Sequence, residues 1–479
     1  MILRKALLTV LILIVISMNL PQGLAVKVGR NVNITPDVNR QVVEPAIAVD
    51  PRNPNIIVAG AEDRRLVPQG GCSSSACGHT WGGYYRSTDG GLTWSSRLVP
   101  GFRGDTSPDG LASPLRQFGH IGHVSVVFDR SGNVYYSGFV VMLDDSGSFI
   151  FSSMRIAVAK FANDGADYVG ATVLSSGPGW MPRIAVDTSD GPNDGNVYVT
   201  FLNAESFGYK ELFTRSTDGG LTFSKPISTP GSGLPVAPAV DPAGNVFVES
   251  AHCTGNSLQC SSDASATILV TESTDGGLTF GQSVVVAAIK PDPTPLPGNS
   301  FKGIAFTGIS WDITADANGV YIVWDDFGMG DSNVLLIRST DGGLTWDSPV
   351  RVNDVAQGQQ FFSHVAVSGG IISVIWYDSR LGQLSNGTIT NLDVFYSASR
   401  DFGSSFSKSV RVTTASFDPN LVTLGDFGFP VRFLGDRIGI AASPTAVHPI
   451  WTDNRNACDY IDPTFGCVDQ DLFTATITP

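Results

Sequence analysis

The chain has no run of Lys and Arg, and its 30 basic residues are outnumbered by 44 acidic ones, for a net charge of −14. A surface that tracks phosphates needs clustered basic side chains, so nucleic acid is not an expected partner. Charged residues are only 15% of the chain and hydrophobic ones 42%, the reverse of the balance that keeps a chain disordered. Past the first residues, no apolar stretch approaches the ~20 residues needed to cross a bilayer. No CxxC, HExxH, GxSxG, P-loop or dinucleotide fingerprint occurs. What is abundant is glycine, 53 of 479 residues, together with 28 prolines. That composition predicts many turns, few helices and enough apolar material for a sizeable core.

The first segment reads as a leader rather than as part of the fold. Arg4 and Lys5 precede an apolar run from Ala6 to Ile16, and small residues follow up to Ala25. This is the pattern of a secretory signal peptide over 1–25, with an uncleaved anchor as the alternative. The mature chain, 26–479, is then expected to be exported, as one domain without a further membrane span. The six cysteines fall in three close pairs: Cys72 with Cys77, Cys253 with Cys260, and Cys458 with Cys467. An oxidising compartment makes three local disulfides the expected reading. A metal site is the alternative, since His79 and His252 lie beside two of the pairs. Asn33-Ile34-Thr35 and Asn386-Gly387-Thr388 fit the glycosylation acceptor pattern.

Internal repetition carries most of the information. Four near-identical segments run from Ser87 to Trp94, Ser216 to Phe223, Ser273 to Phe280 and Ser339 to Trp346. A degenerate fifth runs from Ser399 to Phe406, and Asn163-Asp164-Gly165 has the look of a worn sixth. Asp89 and its counterparts can cap turn amides. Gly90 and Gly91 permit positive φ, and Trp94 or Phe223 can fold under the turn as an apolar plug. The pattern S-x-D-x-G-x-T-[WF] resembles the Asp-box, or BNR repeat, of the sialidase-like β-propellers. The resemblance implies an all-β fold of four-stranded antiparallel blades around a channel.

A second pattern counts the blades. Inner-strand segments such as Pro45 to Asp50, Val124 to Asp129, Pro182 to Asp187, Val236 to Asp241, Trp311 to Asp316, Ser363 to Ser368 and Ile438 to Ser443 are each followed by a second strand. Seven units over the mature chain average about 65 residues, compatible with blades plus loops. Six, the number in sialidases, remains open because the second repeat is weak. The stretch from Val28 to Thr35 resembles the fourth strands that follow the boxes, so it is expected to complete the last blade and close the ring.

Strand order puts the boxes on one face and the long second-to-third loops, which hold all six cysteines, on the other. A surface of long stapled loops suggests a binding face, with ordinary loop drift as the plain alternative. Two residues beyond Trp324, Trp376 and Trp451 come Asp326, Asp378 and Asp453, with Glu62 as the first-blade equivalent. Arg380, Arg455 and Arg64 lie two further on. Residues two apart on an extended segment share a direction. Each Arg can therefore pair locally with its own carboxylate, or the groups can form an arc at the pocket that suits an acidic ligand. The inner-strand entrances add Glu44, His123, Arg183, Asp312, His364 and Arg437. The catalytic candidates are Glu62, Asp312, Asp326, Asp378 and Asp453; the ligand-binding candidates are Arg64, Arg380, Arg437, Arg455 and His364. Asp187, Asp190 and Asp194 offer oxygens suited to calcium without a full ligand-loop pattern, and no cofactor is expected.

The family resemblance also marks departures. Pro45 to Ala48, Ala61 to Arg64 and Tyr85 to Ser87 look like the sialidase first blade. Where the family carries the first of its three anion-gripping arginines this chain has Val43, and the stretch between Leu66 and Trp81, where the acid/base Asp would lie, contains no carboxylate. Both losses argue against sialidase hydrolysis itself, although Arg437 offers a substitute guanidinium. Another glycosidase would need two carboxyl groups at one of two separations. The expected function is a secreted monomer that binds or cleaves an extracellular glycan, with a non-catalytic scaffold for a protein or other ligand as the alternative.

Overall fold

The computed structural model describes residues 26–67, 80–175, 177–203, 210–231, 234–253, 265–293, 295–298, 311–382, 384–385, 388–426, 429–462 and 466–479. The leader, Cys72, Cys77, Cys260 and Asn386 lie outside the described residues. Six four-stranded antiparallel sheets follow one another along the chain, with strands in sequence order from the centre outward. Their innermost strands are Val42–Asp50, His120–Phe128, Gly179–Val186, Leu234–Val240, Trp311–Asp316 and Gln360–Ser368. A seventh sheet begins with Gly439–Ala442. Each innermost strand packs against the next, and the seventh packs against the first, which closes a seven-bladed β-propeller.

The seventh blade is completed from the other end of the chain. Its third strand, Asp471–Thr474 continuing into Ile477–Thr478, is flanked by Lys27–Val28 and Val32–Asn33. Lys27 pairs with Thr478, Val28 with Ile477, and Val32 with Thr474. Asn31 extends the clasp into blade six, donating to the Val412 carbonyl and accepting from the Thr414 amide. Asn33 donates to Asp471 at 2.7 Å, so this glycosylation-type asparagine is engaged in the closure.

The repeated boxes are hairpin turns between third and fourth strands, built alike. In the first, Asp89 accepts from the Leu92 and Thr93 amides and from the Thr93 hydroxyl, while the buried Ser87 hydroxyl accepts from the Gly91 amide. The degenerate fifth repeats this with Ser399, Asp401, Gly403 and Ser405. It holds Phe402 at φ 59°, where the first box has Gly90 at φ 72°. The aromatic residue that ends each box packs between its own blade and the preceding one. Trp94 joins the core between blades seven and one, Phe280 that between three and four, and Trp346 that between four and five. Blade two has no such plug. Its turn carries Asn163, Asp164 and Gly165 at positive φ and is held instead by Arg86 and Tyr84 of blade one.

Candidate functional site

The opposite face gathers the chemistry, and a backbone irregularity explains how. The innermost strands of blades one, two, three, four and six each carry a register shift near this end. At four of these bulges a residue other than glycine takes a left-handed conformation: Glu44 at φ 57°, His123 at 48°, Met181 at 51° and Phe362 at 56°. Such conformations cost about 1–3 kcal/mol each and concentrate where a side chain must be aimed. Here they turn Glu44 and His123 toward the channel mouth. Immediately past the bulges, Arg183 and His364 occupy one register position, and Asp312 faces His364 from blade five.

Two groups of side chains result. In the first, Arg437 Nη2 lies 2.7 Å from His123 Nδ1 and 3.8 Å from Glu44, while its Nε donates to Asp436 at 3.1 Å. The same Nδ1 lies 3.0 Å from Glu44, so it sits between a guanidinium that only donates and a carboxylate that accepts. Burial holds His123 below its ordinary pKa. Glu44, His123 and Asp436 each offer a ligand atom within 4.8 Å of the others, the arrangement of a metal site. Arg437 already contacts the same Nδ1 and supplies the positive charge there.

In the second group, His364 Nδ1 donates to Asp312 at 3.0 Å, leaving Nε2 without a hydrogen-bond partner. Burial works to raise Asp312, but the neighbouring His364 and Arg183 more than offset it and hold the carboxylate below its usual range. Glu249 is fully buried and pairs across from Ala237, so both side chains leave the sheet on one side and the small alanine leaves room for the carboxyl. Neither Glu249 oxygen has a hydrogen-bond partner, and burial, reinforced by the Asp312 charge, pushes its pKa well up. Arg183 is the odd member. Among the described residues no acceptor lies within hydrogen-bonding distance of its guanidinium, and burial together with the Arg437 charge lowers its pKa to about 10.

The aligned arc of acids and arginines takes a different form from the expected one. Asp378 is bound by Arg380 at 2.7 Å and by the Trp376 indole at 2.8 Å. Asp453 is bound in the same way by Arg455 and Trp451. Each of these arginines also stacks on a phenylalanine, Phe395 or Phe473. These are local struts, not free site groups. In blade one the strut is Asp63 with Arg65 at 2.6 Å, so Glu62 and Arg64 are one residue out of line with the others. The run Glu62-Asp63-Arg64-Arg65 permits either alignment in sequence; strand pairing, with Asp63 opposite Trp81 as Asp378 is opposite Asp393, selects the second. Asp326 has no arginine and caps the amides of Lys290 and Gly328.

Glu62 instead reaches the next blade and accepts from the His123 amide at 2.9 Å. Asp325, at the matching position of blade five, accepts from Phe362 and Ser363 of blade six. Both carboxyls therefore brace the left-handed residue of the following blade. Burial, then the Glu44 charge, raises Glu62 to about 8. Arg64 is buried beside Glu62 and His120, with which it interacts electrostatically. Of the calcium candidates, Asp190 pairs with Arg130 and Asp187 accepts from the Ser189 amide, and with Asp194 they do not converge. Cys458 and Cys467 are bonded, as is Cys253, whose partner lies outside the described residues. The sequence reading missed Glu249, a lone acid in the otherwise buried strand Val246–Cys253; the small Ala237 opposite it is the signal that could have found it.

No family model matches the chain, and no curated protein does. Solved structures do. An ulvan lyase, described as a new family of polysaccharide lyase, aligns over 92% of this chain and 95% of its own at 11% identity and a TM-score of 0.51. A protein of unknown function from Dyadobacter fermentans covers 95% of this chain and 99% of its own at 13% identity and a TM-score of 0.48. The intramolecular trans-sialidase from Ruminococcus gnavus covers 73% and 92% at 11% identity and a TM-score of 0.47. At these identities the likeness concerns the fold alone. Among the described residues no helix is long and apolar enough to cross a membrane.

Proposed function

We propose that this propeller is an exported protein that binds an acidic glycan at the loop-side mouth of its channel and cleaves it by base-assisted elimination. The single observation that carries the reading is Arg183, a half-buried guanidinium whose five donors meet no hydrogen-bond acceptor among the described residues. A sugar carboxylate is the ligand that such a group lacks. Hydrolysis by paired carboxylates is less well supported, because Asp378, Asp453 and Asp326 are each consumed by structural partners.

A carboxylate neutralised on Arg183 acidifies the adjacent C–H bond. His364, oriented by Asp312, offers its free Nε2 as the base for that proton. The electron pair forms a carbon–carbon double bond, and the β carbon–oxygen bond breaks. Glu249, kept protonated by burial, supplies the proton to the leaving oxygen. A binding-only role is the second reading, favoured by one observation: His364 Nε2 is closed from solvent in this state.

The test is to incubate the mature chain with a panel of uronate-bearing polysaccharides and follow the absorbance of the unsaturated product. Activity lost in Arg183→Gln and His364→Asn is the expected result. Binding that depends on Arg183 without any product selects the binding-only role, and no binding to any member removes the glycan reading.

A further inference from the structure

From the channel mouth a continuous path of ring contacts runs outward over blade two. Trp180 meets His123 edge-on at 5.4 Å, His123 meets Phe139 at 5.5 Å, and Phe139 meets His120 at 5.0 Å. His120 then meets Phe149 at 4.8 Å, and Phe149 meets Phe151 at 6.1 Å. His120, His123 and Phe139 are buried and Trp180 and Phe149 half-buried, whereas Phe151 is 60% exposed. Its exposure does not come from a loose loop. The segment from Met142 to Met154 is a pinned hairpin, with a Leu143–Phe149 bridge, a turn capped by Asp144, and the Ile150 amide donating to the Met142 carbonyl. The Met142 amide donates in turn to the Ser153 hydroxyl. A large apolar ring held out on a fixed support has no use in the fold itself.

We infer that Phe149 and Phe151 form a second sugar-binding position, on which a neutral unit stacks farther along the glycan whose acidic unit Arg183 holds. This rests on the glycan reading above and deepens it. Aromatic faces take the apolar face of a sugar ring and leave its hydroxyls in water. The hairpin tip carries the exposed Asp144 and Asp145, and the one guanidinium at its base, Arg155, donates to the Ser152 and Met154 carbonyls. A second acidic unit would be repelled there, so the ligand class is a heteroglycan that combines acidic with neutral units, the alternating polymers being its simplest members.

The experiment is a titration of the mature chain with uronate-containing oligosaccharides of increasing length, alternating and homopolymeric, against wild type, Phe151→Ala and Phe151→Trp. The expected result is an affinity gain of about tenfold on lengthening the alternating series, the size of a good aromatic contact. The gain should vanish in Phe151→Ala, return in Phe151→Trp, and be smaller for homopolyuronates. Because Phe151 is exposed, its replacement leaves the blade intact, which a melting curve verifies. Short ligands that bind through Arg183 with an unchanged length gain in Phe151→Ala would overturn this position and leave the acidic-glycan reading standing. Failure of every oligosaccharide, short and long, would overturn both.

Discussion

The two faces of the ring use the same residue types in opposite electrostatic states. On the box face each aspartate is surrounded by donors. Asp218 and Asp341 are held down to about 2, first by the hydroxyls of Thr222 and Thr345. On the loop face burial outweighs the donors at some carboxyls, and Glu62 rises to about 8 and Asp325 to about 7, while Asp312 is held down by His364 and Arg183. The arginines divide in the same way. Arg380 is fully engaged by Asp378, Asp354 and the Ser409 hydroxyl, while Arg183 has no hydrogen-bond partner among the described residues and feels Asp312 only through its charge. A satisfied polar group belongs to the fold. An unsatisfied one, held in place by strained backbone, is available for a ligand.

The sharpest way to break this contrast is to remove the unsatisfied cation. Arg183→Gln should weaken binding of an acidic glycan by roughly 10- to 100-fold, the worth of a charged hydrogen-bonded contact. The melting temperature should not fall, since no internal bond is lost. A fall in Tm comparable to that of an Arg380 variant would erase the distinction.

The next largest effect lies in pH. Buried groups raised above their ordinary values bind protons more tightly in the folded state, so stability declines as pH rises from about 4.5 to about 8, the window set by Glu62. The box aspartates are lowered, so their contribution is present above about 3.8 and lost as pH falls toward about 2. The protein should therefore melt highest near pH 4 to 5. Glu62→Gln, which can still accept from the His123 amide, should flatten the alkaline side of that curve by roughly several °C. An unchanged alkaline slope would show that Glu62 is not the group responsible.

On the box face, Ser216→Ala removes a buried hydroxyl that accepts from the Gly220 amide and donates to Asp218. Denaturant unfolding should report a loss of about 1–2 kcal/mol, with glycan binding unaltered. The smallest effect runs the other way. Phe402→Gly relieves a left-handed aromatic residue at the place where the other boxes have glycine, and should stabilise by about 0.5–1 kcal/mol.

The scaffold was legible because its signals are local. The Asp-box, the inner strand ending in Asp50 or Asp187, and the fourth-strand character of Val28 to Thr35 each depend on a few neighbouring residues, and all three appear where expected. The site was less legible because bulges set it. A left-handed residue at Glu44 or His123 changes which side chains face the channel without changing the hydrophobic pattern, so simple alternation does not find it. The same limit put Glu62 and Arg64 in line with the blade-six and blade-seven pairs when Asp63 and Arg65 are the true counterparts. The convergence of Arg183, Asp312 and His364 depends on three different blades, and no stretch of sequence contains it.

The strand that completes blade seven carries a consequence in time. Lys27 pairs with Thr478, so the first described strand finds its neighbour only when almost the whole chain is available. During synthesis six blades can assemble in order while Val28 and Val32 wait unpaired, and the ring shuts in one late step that joins strands about 450 residues apart. The channel mouth is bounded by Glu44 on blade one, His123 on blade two and Arg437 next to blade seven. Its chemistry therefore comes into being with that closure, and an incomplete chain holds every blade-one group yet no assembled site.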